Sequence, residues 1–276
     1  MKKLILGIVI ALATINATQA QTPFFGIDQN KVVSLVSQAE KMPHDNAILI
    51  ISTTFQALSN NPKAYRKALD TVLPRLSEPT DSMHNEELYI AVLKHAVSSL
   101  TLTNSEKELP KALLQQALKN KIGDIATDID YVTTTGKQDK LLNNDNKFTL
   151  VYFNDPDCDA CAKVKENLNA SETIKKAVTD GKMRVVAINP MSNEKLWKKA
   201  SMPEWVVNGW NKSQTINNDG IYELPTLPVF FLLSTDNTVV LKNEASLQRV
   251  EKIVDKVLNG NATAAEDIIK NIFNVK

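Results

Sequence analysis

Cys158 and Cys161 are the only cysteines in the chain, and two residues separate them. They follow a run from Phe148 to Phe153 that is apolar, β-prone and short, as a buried strand is. After Asn154, Asp155, Pro156 and Asp157 the pattern changes to that of a helix beginning at Cys158 and running through Val164 and Leu168. A sulfur at a helix N-terminus sits beside unpaired N–H groups and the positive end of the dipole, both of which favour a thiolate. Two intervening residues let the second sulfur reach the first across one helical turn. There it can attack a mixed disulfide formed on the first. The chemistry this points to is thiol–disulfide exchange. A C-x-x-C gains weight when it stands on a strand-to-helix turn within an α/β pattern.

Two other uses of the pair compete. Half of a zinc site would need two further ligands, but no other Cys exists and His44, His84 and His95 all fall in the first half of the chain. A purely structural disulfide across so short a loop would constrain the unfolded chain little. No metal or organic cofactor is therefore expected. Asp155, Asp157 and Asp159 surround Cys158 with negative charge, which disfavours a thiolate while the helix terminus favours one. Partial cancellation fits a reductase or isomerase better than a strong oxidant, whose reduced form must be strongly stabilised. Lys163 and Glu166 read as exposed helix charges. His84, at a helix start, reads as structural. Trp197, Trp205 and Trp210 cluster between the second strand and Pro228, either as a substrate-facing aromatic surface or as core packing.

The first residues carry an address. Lys2 and Lys3 precede an apolar run over residues 4–15, and Thr18, Gln19 and Ala20 offer small residues at a cleavage point. This is the three-part pattern of a secretory signal peptide over residues 1–20, and the run is short for a membrane span. A cleaved chain would keep no stable membrane anchor. The bacterial periplasm is the compartment expected, and it is oxidising enough for a cysteine pair to hold a disulfide.

The elements that must position the cysteines follow from length and periodicity. The chain has 276 residues, 43% hydrophobic and 23% charged, which suits one large or two ordinary globular domains. With 32 Lys+Arg against 31 Asp+Glu, no excess charge exists to neutralise nucleic-acid phosphates. Residues 21–121 read as an all-α domain. Asp28 and Asp45 precede apolar residues at helical spacing, and Asn61 caps a helix with Pro62 at its first position. Pro74 is expected to end that helix. Asn85 opens another, and a last one is expected near residues 110–120 before Gly123. Residues 122–276 read as α/β. A strand from Asp130 enters a turn at Gly136, and buried strands are expected over residues 148–153, 183–188, 229–233 and 238–241. An amphipathic helix follows over residues 246–258.

Four stretches of the second half resemble a thioredoxin-like domain of the TlpA type. Residues 123–128 with the Gly136 turn are similar to its opening hairpin. Asn154 to Cys161 stands where its active site stands. Residues 222–233, from Tyr222 through Pro225 and Pro228 into an apolar strand, resemble the stretch with the cis-proline opposite the cysteines. Residues 238–241 resemble the strand that follows. Residues 77–89, with the helices around them, resemble a helical domain of unassigned function that precedes thioredoxin-like domains in Bacteroidetes envelope proteins.

The resemblance implies a thioredoxin-like fold, with a central mixed sheet flanked by helices, behind the helical domain. It implies a thiol–disulfide oxidoreductase in which Cys158 attacks and Cys161 resolves. Pro228 takes the cis-proline role because it leads straight into Val229, and the backbone of Leu227 would then face the cysteines and pair with substrate. The partners implied are protein thiols and disulfides, with a membrane or periplasmic electron donor. Two departures stand out. Asp157 precedes the first cysteine where a Trp is usual, and Tyr152 occupies the position of the buried acid on the preceding strand. A redox-inactive protein that binds a partner and uses the α/β half as scaffold is the alternative, since fold alone does not prove activity.

Overall fold

The computed structural model describes residues 29–259, apart from Glu40 and Ser192. The signal-peptide pattern and the Asp28 cap lie outside the described residues. Five helices come first: α1 Gln29–Ala39, α2 His44–Leu58, α3 Pro62–Ser77, α4 Glu86–Ser98 and α5 Asn104–Ala117. Their starts follow local chemistry. The Asn61 side chain accepts the N–H of Ala64 and Pro62 sits at the first position of α3, while the Asn85 side chain accepts the N–H of Leu88 at the start of α4. These helices bury one continuous apolar cluster that includes Val36, Phe55, Tyr65, Val72, Leu88 and Leu93.

Two expectations fail here for physical reasons. Pro74 lies inside α3 rather than ending it: it forgoes the N–H bond to Asp70, but its carbonyl still accepts from Glu78, and Val72 and Leu76 on either side are buried in the helical core, which holds the last turn. The last helix starts at Asn104, well before residue 110. Thr103 and Glu106 form a capping box that fixes this earlier start, and Pro110 falls within the helix.

The second half contains β1 Asp130–Thr133, β2 Gln138–Lys140, β3 Phe148–Phe153, α6 Asp159–Ala170, α7 Glu172–Thr179, β4 Met183–Asn189 and α8 Glu194–Lys199. Then come β5 Val206–Trp210, α9 Thr215–Asn218, β6 Val229–Leu233, β7 Val239–Glu244 and α10 Leu247–Asn259. The strands form one sheet in the order β2-β1-β5-β4-β3-β6-β7. β3 runs parallel to β4 and antiparallel to β6, so it is central and covered on both sides. Alternation divides its side chains. Leu150 and Tyr152 pack with Leu168, Ile174, Val250 and Val254 under the helices, while Val151 and Phe153 pack with Tyr131, Ile188, Tyr222 and Phe231 on the other face.

Strand β5 was not expected. A Gly within Val206–Trp210 weakens the strand signal, yet Gly209 is required. A Cβ there would stand 2.8 Å from Cδ2 of the buried Tyr131 ring. Among the described residues, no helix is long and apolar enough to cross a membrane.

The two halves meet through β7. A register shift against β6 and a left-handed backbone at Asn243 (φ 53°) mark a bulge in this edge strand. Lys242 beside it is fully buried. Its Nζ donates to Glu86 Oε1 at 2.6 Å and to the Ala117 carbonyl at 2.8 Å, and lies 3.9 Å from Glu223 Oε2. The ammonium thus meets an acid in the first turn of α4 and a carbonyl at the C-terminus of α5, each end of the right sign for its partner.

Two substitutions test this packing. Gly209→Ala should destabilise the protein by about 1–3 kcal/mol, read by denaturant unfolding, because the added Cβ would press on the buried Tyr131 ring and on Ile188; an unchanged midpoint would contradict that packing. His84 is buried, its Nδ1–H donates to the Leu76 carbonyl at 3.0 Å, and burial lowers its pKa from 6.5 to about 4. The unfolded chain therefore takes up a proton before the fold does. Stability from neutral His84 is complete above the unfolded value and drains away as pH falls toward the folded one. His84→Asn should remove this loss, so the stability gap between wild type and variant should shrink by on the order of 2 kcal/mol from pH 7 to pH 4. Parallel pH profiles would contradict it.

Candidate functional site

The site forms where the central strand ends. Past Phe153 the chain leaves the sheet, and Asn154 pins the exit: its backbone N–H and its side-chain amide both donate to the Ile188 carbonyl of β4, at 3.1 and 3.4 Å. Asp155 shapes the turn. Its carboxylate accepts the N–H of Asp157 at 3.0 Å, and its carbonyl accepts the N–H of Cys158 at 3.3 Å.

Cys158 is the N-cap of α6, with extended backbone (φ −119°, ψ 116°). Its Sγ accepts the N–H of Cys161 at 3.1 Å, and its carbonyl accepts the N–H of Ala162 at 3.0 Å. The sulfur therefore occupies the position where a capping oxygen usually satisfies the third helical N–H. Donors without partners at a helix start concentrate positive potential on it. Cys158 is half-buried and Cys161 is 3% exposed, and both are free thiols.

Burial pushes the Cys161 thiol up to about 12, against a lowering contribution from the Asp155 backbone amide. At neutral pH Cys161 is a protonated, shielded thiol. No carboxylate stands behind it on β3. Tyr152 holds that place, fully buried and stacked on Phe230 with centroids 5.0 Å apart. Its hydroxyl donates to the Cys161 carbonyl at 2.7 Å. Burial raises the Tyr152 pKa, and nearby negative charge at the cysteines adds to the rise, so this phenol is a fixed donor and not a base. A phenol on an apolar strand must find a partner when buried, which is the signal by which this contact was readable.

Opposite the cysteines, the peptide bond between Leu227 and Pro228 is cis, and the Leu227 carbonyl lies 3.8 Å from the Cys158 sulfur. Pro228 is buried, and Pro225 is exposed in the loop before it. The four residues singled out from sequence thus sit at one place. Asp157 and Asp159 are exposed and Asp155 is half-buried; no ion pair among the described residues engages any of the three. Lys163 and Glu166 lie exposed on α6.

The tryptophans belong elsewhere. Trp197 and Trp210 stack at 5.5 Å, are 1% and 7% exposed, and give their indole N–H groups to Asn208 and to the Met191 carbonyl. Trp205 packs partly buried against the helix-side core. Of the two sequence readings, core packing is the one the structure contains. Among the described residues no group of three or more His, Cys, Asp or Glu is placed to hold a metal ion.

Residues 136–258 match the model of a thioredoxin-like domain, and residues 25–120 match a domain of unknown function (DUF5106). Similar solved structures include a thioredoxin-like protein from Bacteroides caccae, 28% identical over 88% of both chains, with a TM-score of 0.79. The C-terminal domain of an uncharacterized protein from Bacteroides fragilis is 33% identical; the match covers 49% of this chain and 98% of that one, with a TM-score of 0.48. The thioredoxin domain of a thiol-disulfide oxidoreductase from Bacteroides vulgatus is 23% identical over 49% of this chain and 98% of its own, with a TM-score of 0.39. No curated protein matches the chain. With both sulfurs at the head of a helix that leaves a central strand, the C-terminal half has the thioredoxin-like fold and matches the thioredoxin-like domain model, behind a region that matches DUF5106.

Proposed function

We propose that the protein is a periplasmic thiol–disulfide oxidoreductase acting on protein disulfides, as a reductase or isomerase and not as a strong oxidant. One observation carries the reading: the Cys158 sulfur caps α6 at 3.1 Å from the Cys161 N–H while it faces the Leu227 carbonyl at 3.8 Å. A sulfur so placed is exposed to substrate on one side and polarised by a helix terminus on the other.

The chemistry runs in two exchanges. The Cys158 thiolate attacks one sulfur of a substrate disulfide, forming a Cys158–substrate disulfide and releasing the other substrate sulfur as a thiolate. Cys161 then loses its proton and attacks the Cys158 sulfur. The Cys158–Cys161 bond forms and the second substrate sulfur leaves. Two electrons pass from the dithiol to the substrate, and the two thiol protons end on the substrate thiols. A dithiol donor in the same compartment must reset the pair. The direction follows from charge: three carboxylates without ion pairs beside Cys158 oppose the strongly stabilised thiolate that an oxidant requires. The periplasmic location rests on the signal-peptide pattern of residues 1–20.

Two measurements test the proposal. With dithiothreitol as donor, the protein should catalyse reduction of insulin, and Cys158→Ser should abolish catalysis while leaving the melting temperature within a few degrees of wild type. A wild-type protein without activity above background would instead favour the partner-binding alternative. In the reduced protein at pH 8, iodoacetamide should modify Cys158 at least tenfold faster than Cys161, mapped by mass spectrometry, because Cys161 is 3% exposed and its thiol is held near 12. Equal rates would contradict the assigned roles.

A further inference from the structure

The loop that carries Leu227 to the cysteines is held from outside the redox site. Between Asp219 and β6 no backbone–backbone hydrogen bond among the described residues ties this loop down. Its path is set by side chains. Lys119 Nζ donates to the Gly220 carbonyl at 2.6 Å, and Asn120 Nδ2 donates to the Ile221 carbonyl at 2.8 Å. The Tyr222 hydroxyl donates to the Thr127 carbonyl at 2.7 Å, and its ring packs on Phe153 and Phe231. Glu223 faces the buried Lys242, which is itself bonded to Glu86 and to the end of α5. Three consecutive loop residues, 220–222, are thus fastened by hydrogen bonds, two of them through Lys119 and Asn120 just past α5, while Glu223 Oε2 stands 3.9 Å from Lys242 Nζ without a hydrogen bond.

Lys119 and Asn120 close the last turn of α5. The Lys119 N–H donates to the Gln116 carbonyl, and Asn120 has a left-handed backbone (φ 50°) that turns the chain toward β1. Asn120 is buried, and its second amide atom, Oδ1, accepts the N–H of Thr127 at 2.7 Å. One side chain therefore spans the linker and the loop. Both carbonyls are partly buried, so a missing donor would leave an acceptor poorly satisfied.

We propose that Lys119 and Asn120 are positioning residues of the thiol–disulfide site, through which the helical half sets the position of the Leu227 carbonyl beside Cys158. They touch neither sulfur. They act by fixing residues 220 and 221, while the Tyr222 hydroxyl bond to the Thr127 carbonyl fixes the next step of the loop. The Leu227 backbone is the surface on which an extended polypeptide substrate would lie, so the helical half governs substrate binding more than chemistry. The inference rests on the oxidoreductase reading above.

The test compares Lys119→Met and Asn120→Gly with wild type, using the full chain. Glycine suits the left-handed backbone at position 120, so this change removes the side chain without straining the turn. With insulin as substrate and dithiothreitol as donor, both variants should show at least a fivefold rise in KM with kcat within twofold of wild type. The rate at which iodoacetamide modifies Cys158 should stay within twofold, because the sulfur and its helix are untouched. Lys119→Arg, which keeps a donor, should restore KM. An unchanged KM, or a lowered melting temperature without a KM shift, overturns the proposal. So does a joint fall of kcat and of the alkylation rate, which would mean general damage to the site. Wild-type protein that fails to reduce insulin overturns the oxidoreductase reading, and this inference with it.

Discussion

A helix must begin beside the end of the central strand, and a sulfur takes the place of its capping oxygen. Most of the second half follows from that constraint. β3 can end at the site only because it is covered by β4 on one side and β6 on the other, so its exit is rigid. The same pairing with β6 brings the residues just before Val229 next to the strand end, since Phe153 pairs with Val229. Leu227 therefore arrives opposite Cys158 as a consequence of sheet order. Tyr152 completes the arrangement by holding the Cys161 carbonyl, while the Cys161 N–H in turn holds the Cys158 sulfur.

The helical half is joined to this site by charge in a dry interface. Lys242, Glu86 and Glu223 are largely or fully withdrawn from water, and burial raises the pKa of both acids while Lys242 opposes the rise. Such clusters add little net stability, because desolvation offsets attraction; losing one partner, however, costs about 3–5 kcal/mol. Their value is in specifying one arrangement. An apolar contact between β7 and the helices would tolerate sliding. An ammonium fitted between the start of α4 and the end of α5 does not. The bulge at Asn243 is the local distortion that accompanies this fit.

Much of this was legible in the residues. The apolar run of β3, the Asn61 and Asn85 caps and the amphipathic α10 follow local rules, and local rules are what a sequence displays. The cysteine pair showed its helix start for the same reason. What stayed hidden depends on partners far along the chain. β5 carries a glycine whose purpose is visible only beside Tyr131, which lies in β1. Pro74 looks like a helix end until its position in the last turn is known. The capping box at Thr103 and Glu106 was readable and outweighs the proline signal at Pro110. Lys242 reads as a surface charge on an edge strand, and nothing local marks it as the residue that meets Glu86 across 156 positions of sequence. Lys119 and Asn120 are equally plain in sequence, because their carbonyl partners are about a hundred residues away.

The reduction potential of the Cys158–Cys161 pair, measured by equilibrating the protein in dithiothreitol and glutathione buffers, bears most directly on whether this site donates electrons. The unpaired carboxylates around Cys158 and the buried, protonated Cys161 lead to a value near that of thioredoxin, about −270 mV. A value near about −120 mV would mean a strongly stabilised dithiol and would contradict the reductase reading. A pair that never exchanges with either buffer would contradict redox function altogether.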